Sequence, residues 1–144
     1  VNNLIEENAK LSKEVEELRR LRVLAMKDEL KSKIIAGNGT NVLVVRIDGD
    51  ASAAKELAFA LKAETSNFIG LFGYVADGKP GLTLIIDEEV AKAKQLNAGQ
   101  MVKDLAKEIR GGGGGQPFFA TAGGSLPDGL SSALDKGQQL LSAL

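Results

Sequence analysis

Three basic residues and a run of glycines adjoin each other in the last third of the sequence, and they are the residues best suited to bind a ligand. Lys103, Lys107 and Arg110 have the i, i+4 and i+7 spacing that places side chains on one face of a helix. Glycine backbone amides can bind phosphate or ribose oxygens, and neighbouring cations supply the opposite charge. The candidate RNA-binding residues are therefore Lys103, Lys107, Arg110, Gly111, Gly112, Gly113, Gly114, Gly115 and Gln116. The alternative is a solvated helix face followed by a slack linker.

The composition excludes most catalytic chemistry. The 144 residues contain no His and no Cys, so a Ser-His-Asp triad, a thiol nucleophile and a thiolate metal site are impossible. No pair of carboxylates has a spacing typical of acid–base catalysis, and we expect no catalytic residue, no metal site and no small-molecule substrate in this chain. Because the sequence begins with Val1, it is expected to be a piece of a longer protein.

Charge and hydropathy bound the possible partners. With 18 Lys+Arg against 19 Asp+Glu the net charge is −1, so RNA would bind a local basic surface rather than the molecule as a whole. No apolar stretch approaches the roughly 20 residues that a membrane helix needs, and we expect no membrane partner. We expect a cytoplasmic location, with which the lack of cysteine is consistent.

The N-terminal segment has the pattern of a coiled coil. Residues 1–35 contain no Gly and no Pro, which predicts one long helix of about 50 Å. Heptad spacing puts Val1, Asn8, Val15 and Arg22 at a positions and Leu4, Leu11, Leu18 and Ala25 at d positions. We therefore predict a homodimer through Leu4, Asn8, Leu11, Val15 and Leu18, in which Asn8 fixes the register. The alternative is an amphipathic helix that packs on its own domain.

The glycines at positions 37 and 39 predict the end of this helix by a C-cap. They divide the chain into a helical segment, residues 1–36, and a globular lobe, residues 40–144. In the lobe, residues 42–47 read as a buried strand and residues 51–65 as a helix with Asp50 as its N-cap. The predicted inward face of that helix comprises Ala54, Leu57, Ala58 and Leu61. Residues 68–75 and 82–86 read as a β-hairpin around the turn 77–81.

The rest of the lobe completes the predicted fold. Asp87 and the two glutamates after it begin a short helix, since acids favour a helix N-terminus, although they could also bind a metal. A helix over 98–110, a glycine-rich loop over 111–115 and a last helix over 127–143 follow. The helix over 98–110 is predicted to face inward with Met101, Val102, Leu105, Ala106 and Ile109. The predicted fold class is α/β: a long, coiled-coil-like N-terminal helix, then a single small α/β lobe with a mixed sheet and helices packed on it.

Residues 111–124, GGGGGQPFFATAGG, resemble the C-terminal lobe of the alanyl-tRNA synthetases, a lobe that also accompanies DHH-type phosphoesterases. The helix followed by a small lobe is also the layout of that family. Bacterial synthetases commonly have Arg where this chain has Gln116, and Gln where it has Thr121. The phosphoesterases usually have a His after their glycines, so the lack of His favours the synthetases.

The resemblance implies a function for the whole protein and one for this part of it. The parent enzyme would attach alanine to its tRNA with ATP, with Mg and Zn as further cofactors, and would hydrolyse mischarged tRNA in an editing domain. This part would be non-catalytic and cofactor-free. It would bind the outer corner of the alanine tRNA, promote oligomerisation and help to link aminoacylation with editing.

Two alternatives stay open. One is the substrate-binding lobe of a DHH-type phosphoesterase or short-RNA nuclease, which tight binding of mononucleotides would favour. The other is a purely structural dimerisation module, which indifference to RNA and salt would favour.

Overall fold

The structure is a computed structural model that describes the backbone of residues 2–37, 39–47 and 51–142; the side chains of residues 2–12, 19–20, 23, 37 and 142 lie outside the description. Its helices and strands, in chain order, are α1 Asn2–Lys31, β1 Ile35–Gly37, β2 Thr40–Arg46, α2 Ala51–Glu64, β3 Phe68–Ala76, β4 Lys79–Ile86, α3 Glu88–Lys94, α4 Ala98–Ala106, β5 Gly112–Gly115, β6 Phe119–Gly123 and α5 Leu130–Ser142. Short 3-10 turns, Lys107–Ile109 and Pro127–Gly129, follow α4 and precede α5.

A six-stranded mixed sheet in the order β1-β2-β3-β4-β6-β5 forms the centre of the lobe. Strands β2 and β3 are parallel, and α2 is the crossover connection that a parallel pair needs. Every other neighbouring pair is antiparallel. The prediction of an α/β lobe with a mixed sheet is confirmed. The glycine strand β5 forms one edge of the sheet and β1 the other.

Apolar side chains cover both faces of the central strands. Alternate residues of β3 point to opposite faces: Ile69 and Leu71 pack with α4 and α5, whereas Phe68 and Phe72 pack with α2. The predicted inward face of α2, which comprises Ala54, Leu57, Ala58 and Leu61, is fully buried. Because both faces of β3 are buried, its residues read as a nearly continuous apolar run.

The predicted helical segment 1–36 is wrong at its C-terminal end. Helix α1 ends at Lys31, and Ile35–Gly37 forms β1, which pairs antiparallel with β2. Gly37 lies opposite Thr40, and Gly39 has φ = 80°, so these glycines belong to a hairpin rather than to a helix C-cap. Asn38-Gly39 is a common sequence for a two-residue hairpin turn, although residue 38 itself lies outside the described residues.

The predicted β3–β4 hairpin is confirmed, and its turn is shorter than the predicted 77–81. Ala76 lies opposite Lys79, so only Asp77 and Gly78 connect the strands, with φ of 53° and 75°. A type I′ hairpin turn requires positive φ at both central residues, and Asp-Gly is one of the sequences that favour it.

Two other predicted helix starts have different outcomes. Asp87 is the N-cap of α3: its carboxylate accepts hydrogen bonds from the backbone N–H of Glu89 at 3.1 Å and of Asn67 at 3.2 Å. Capping therefore accounts for this acid. The predicted N-cap of α2, Asp50, lies outside the described residues.

The last two turns of α1 pack against α2. Leu30 is buried in the cluster on the α2 face, and Lys27 and Lys31 each place Nζ 3.0 Å from a carboxylate oxygen of Glu64. The hydrogen bonds from Lys27 and Lys31 lower the pKa of Glu64 below its ordinary value of 4.5.

In the described ranges, no helix combines the length and the apolar character that crossing a membrane requires.

We expect Glu64→Gln to destabilise the packing of α1 on α2 in a pH-dependent way. Because the folded-state pKa is lowered, the contribution of Glu64 is fully present above the ordinary carboxyl pKa and is lost as the pH falls through the lowered value. Urea unfolding at a series of pH values should show a stability difference at neutral pH that vanishes in acid. Glu29→Gln, which removes the same charge from a longer 3.8 Å pair with Lys33, should have a smaller effect. An equal loss at all pH values would contradict this explanation.

Candidate nucleic-acid interface

Helix α4 positions the first of the predicted basic residues. Its N-cap is Asn97, whose side chain accepts a hydrogen bond from the backbone N–H of Gln100 at 3.3 Å. Val102 and Leu105 are buried against the sheet, so the remaining face of the helix is exposed and presents Lys103 to solvent. The predicted inward face of this segment is confirmed, although Met101 is only half-buried.

The prediction of one helix over 98–110 is wrong in its last turn. Helix α4 ends at Ala106, residues Lys107–Ile109 form a 3-10 turn, and Arg110 has a left-handed backbone with φ = 52°. The N–H of Gly111 donates to the carbonyl oxygen of Ala106 at 2.9 Å, which closes the turn. Lys107 and Arg110 are both exposed, but the change of backbone direction means that a straight helical stripe does not describe their positions.

The predicted glycine loop is an edge strand. Gly112–Gly115 pairs antiparallel with β6, with Gly112 opposite Gly123 and Gly115 opposite Ala120. Because β5 is the last strand of the sheet, its outer edge has no strand neighbour among the described residues. Such an edge presents backbone N–H and C=O groups to a ligand. Gln116 is exposed, and its N–H donates to the carbonyl oxygen of Phe119 at 2.8 Å, which closes the turn into β6.

The five glycines have two different structural roles. A Cβ at Gly111 would collide with the carbonyl oxygen of Gly123, a Cβ at Gly113 would lie 2.5 Å from Ala122 Cα, and one at Gly115 would lie 2.6 Å from Phe119 O. These three are required by close packing of the backbone. A Cβ at Gly112 would meet nothing within 4 Å, and one at Gly114 would meet only Lys103 Cε, at 3.5 Å. Packing therefore does not require glycine at 112 or 114.

The side chain of Lys103 lies beside the glycine strand. The 3.5 Å between its Cε and a Cβ position on Gly114 is ordinary van der Waals contact. Gly99 allows this approach, because a Cβ there would lie 3.0 Å from the carbonyl oxygen of Gly115. Sequence reasoning did not identify Gly99, and its only signal was a glycine in the first turn of a helix, where glycine is unfavourable.

The three cations differ in how far they are already neutralised. Lys107 Nζ lies 3.5 Å from Asp104 Oδ1, an exposed pair. Across the described ranges, Lys103 and Arg110 form no ion pair of 4 Å or less. Of these three, Lys103 and Arg110 are therefore more available to a phosphate than Lys107 is.

The other predicted site residues belong to α1. Val15 and Leu18 of α1 are 62% and 66% exposed, and the side chains of Leu4, Asn8 and Leu11 lie outside the described residues. Within the described ranges, no three carboxylate side chains come together in a way that could bind a metal ion.

Comparison with known proteins identifies relatives over almost the whole chain. The family model described as the DHHA1 domain matches residues 39–143. The alanine–tRNA ligase of Christiangramia forsetii is 46% identical over 98% of this chain, and that of Parabacteroides distasonis is 42% identical over 90%. The chain spans only 16% and 15% of the length of these relatives.

Two solved structures have a similar fold. The C-Ala domain of Aquifex aeolicus alanyl-tRNA synthetase superposes with a TM-score of 0.66 at 20% identity, covering 76% of this chain and 97% of that domain. A DHH domain described as a member of a family of ribosomal proteins gives a TM-score of 0.54 at 15% identity, covering 88% of this chain and 31% of that one. At these identities the likeness concerns the fold.

Proposed function

Because this chain belongs to the DHHA1 domain family, we propose that it is a tRNA-binding module of an alanyl-tRNA synthetase. Its 46% identity to an alanine–tRNA ligase over 98% of the chain supports the proposal that the parent protein is such an enzyme. The observation that carries the binding function is that Lys103 lies beside the edge strand β5, with its Cε 3.5 Å from where a Cβ on Gly114 would stand, and that packing does not require glycine at 112 or 114.

The proposed mode of binding follows from these groups. Lys103 and Arg110 neutralise phosphates, and the edge of β5 offers backbone N–H groups to phosphate or ribose oxygens. Contacts of this kind position a folded RNA without reading much of its sequence. The module would therefore recognise the shape of the tRNA, at its outer corner, more than its bases.

A binding titration tests this function. Fluorescently labelled alanine tRNA is titrated with the chain, and a fully paired RNA hairpin of the same length serves as the control for charge. We expect saturable binding that is several-fold tighter for the tRNA. Equal affinity for the two RNAs would contradict shape recognition, and no binding to either would contradict the function.

We further propose that the module is not itself catalytic and that it helps to link aminoacylation with editing in the cytoplasmic parent enzyme. That enzyme would use ATP with Mg²⁺ and a Zn²⁺ ion elsewhere in its chain; the described residues here do not fit a metal, because no three potential ligands lie together. Without His or Cys, the isolated chain should neither charge tRNA with alanine nor deacylate it. Activity above a protein-free blank would contradict this.

Self-association through α1 is a separate proposal, supported by the exposure of two apolar side chains at heptad positions. Val15 and Leu18 are 62% and 66% exposed, three residues apart, and pairing with a second copy would bury both. Sedimentation should detect a dimer at high micromolar concentration, and replacing both residues by Glu should convert it to a monomer. Leu24→Glu, at a 44% exposed position outside the seam, is the matched control. A monomeric wild-type chain would contradict the proposal.

A further inference from the structure

Two aromatic rings stack on the surface of the lobe near the end of the glycine strand. The rings of Phe59 on α2 and Phe119 on β6 have centroids 5.2 Å apart at an interplanar angle of 26°. Phe119 is half-buried against the apolar cluster on the α2 face, whereas Phe59 is 44% exposed. Part of this aromatic pair is therefore open to solvent.

Core packing does not require Phe59 to be aromatic. The residues of α2 that fill the core, Leu57, Ala58 and Leu61, are fully buried, and Phe59 lies outside that face. Its ring stacks on Phe119, yet 44% of the residue stays exposed, so this apolar surface gives up part of the stabilisation that burial would provide. A single exposed apolar residue is ordinary on protein surfaces, so the neighbouring groups decide what this one could bind.

The neighbours are cationic and aromatic. Lys55 and Lys62 lie four residues before and three after Phe59, on the same face of α2. Lys62 Nζ is 5.9 Å from the ring centroid of Phe118 and forms a long 3.9 Å pair with Glu88, whereas Lys55 is exposed. Aromatic rings flanked by cations suit a nucleotide, because the base stacks on the ring while the cations attract its phosphates.

This surface is continuous with the glycine strand. Phe119 accepts a hydrogen bond from the N–H of Gln116 at 2.8 Å, and the next residue, Ala120, pairs with Gly115. Helix α4, which carries Lys103, packs with the cluster on the opposite face of the sheet from Phe119. An RNA bound at the edge of β5 would therefore meet cations on one side and a flat aromatic surface on the other.

We propose that Phe59, stacked on Phe119 and flanked by Lys55 and Lys62, is a stacking platform for an exposed base of the same tRNA. The proposal rests on the tRNA-binding function and adds a contact that is not electrostatic. Stacking tolerates any base, because every base has a flat π face, so the platform would strengthen binding without adding sequence specificity.

The test compares Phe59→Leu with Phe59→Tyr in titrations of labelled alanine tRNA at several salt concentrations. Leu keeps an apolar side chain on Phe119 but removes the flat ring, so affinity should fall about five- to one hundredfold. Tyr keeps the ring and should retain wild-type affinity. The log–log salt slope should not change in either variant, because no charge is removed. Leu140→Ala, which truncates a 40% exposed apolar residue on α5, is the control and should bind as wild type.

The outcomes separate this proposal from the function on which it rests. Wild-type affinity in Phe59→Leu, together with a loss in a Lys103→Ala, Arg110→Ala double variant, would overturn the platform and leave tRNA binding intact. Failure of the wild-type chain to bind tRNA would overturn the function itself. A change in sedimentation of Phe59→Leu at unchanged affinity would assign the ring to contact with a second copy and would also overturn the platform. Thermal melting of each variant identifies misfolding.

Discussion

Replacing Lys103 and Arg110 together by Ala should weaken tRNA binding about 100-fold at physiological salt. Both cations are exposed and form no ion pair within the described part of the chain. A hydrogen bond to a charged group contributes about 1.5 kcal/mol, which is roughly tenfold in affinity for each contact. The log–log salt slope should also fall by about 1.4 to 1.8, since each of the two neutralised phosphates contributes roughly 0.7–0.9.

Two variants calibrate that result. Lys107→Ala should weaken tRNA binding less than Lys103→Ala or Arg110→Ala alone does, because Lys107 Nζ already lies 3.5 Å from Asp104 Oδ1. Lys33→Ala removes one positive charge beside β1, at the opposite edge of the sheet from β5, and should leave the slope unchanged. If Lys33→Ala reduced the slope as much as Lys103→Ala, RNA binding would depend on overall charge rather than on this surface.

The glycines of β5 should respond to substitution in an alternating way. Gly113→Ala would force a Cβ to within 2.5 Å of Ala122 Cα, and overpacking of this kind costs about 1–3 kcal/mol of stability. Gly112→Val and Gly114→Val should keep the wild-type melting temperature, because the space at both positions is open or bounded only by the flexible Lys103 side chain. Both should nevertheless weaken tRNA binding, since a side chain would stand where the ligand approaches the backbone.

Thermal melts and tRNA titrations of the same three proteins test this alternation. Gly78→Ala, in the β3–β4 turn with φ = 75°, is a control that strains a glycine away from the proposed interface. It should lower stability without a specific loss of binding by the folded protein. Wild-type affinity in stable Gly112→Val and Gly114→Val variants would mean that no ligand approaches the backbone of β5.

The sequence predicted the elements whose residue patterns repeat locally. The spacing of Leu57 and Leu61 sufficed for α2, and Asp77-Gly78 sufficed for the hairpin, because helical periodicity and turn chemistry are properties of neighbouring residues. The heptad pattern of residues 1–25 led to a dimer prediction that stays a prediction. The resemblance of residues 111–124 to a known lobe led to the family that the comparisons confirm.

The errors have a common physical cause, which is that tertiary contacts overrode local preference. Glycine is disfavoured in strands, yet residues Gly112–Gly115 form β5 because three of the five glycines allow β6 to approach closely. Ile35 continues the apolar pattern of α1 but lies in β1, where it pairs with Val42 of β2. The exposed ring of Phe59 carried no signal in the sequence, because its stacking partner, Phe119, is 60 residues away in the chain.

Amide hydrogen exchange of the whole chain, with and without alanine tRNA, tests the central claim most directly. The edge of β5 that has no strand neighbour among the described residues should exchange readily in the free protein, and bound RNA would exclude water from it. We predict slower exchange in the segment 111–116, with no change in α5. Unchanged exchange in 111–116, together with slower exchange around the cleft of about 230 Å³ between α1 and β2 that Arg22, Lys33 and Arg46 line, would contradict the account and move the RNA surface to that cleft.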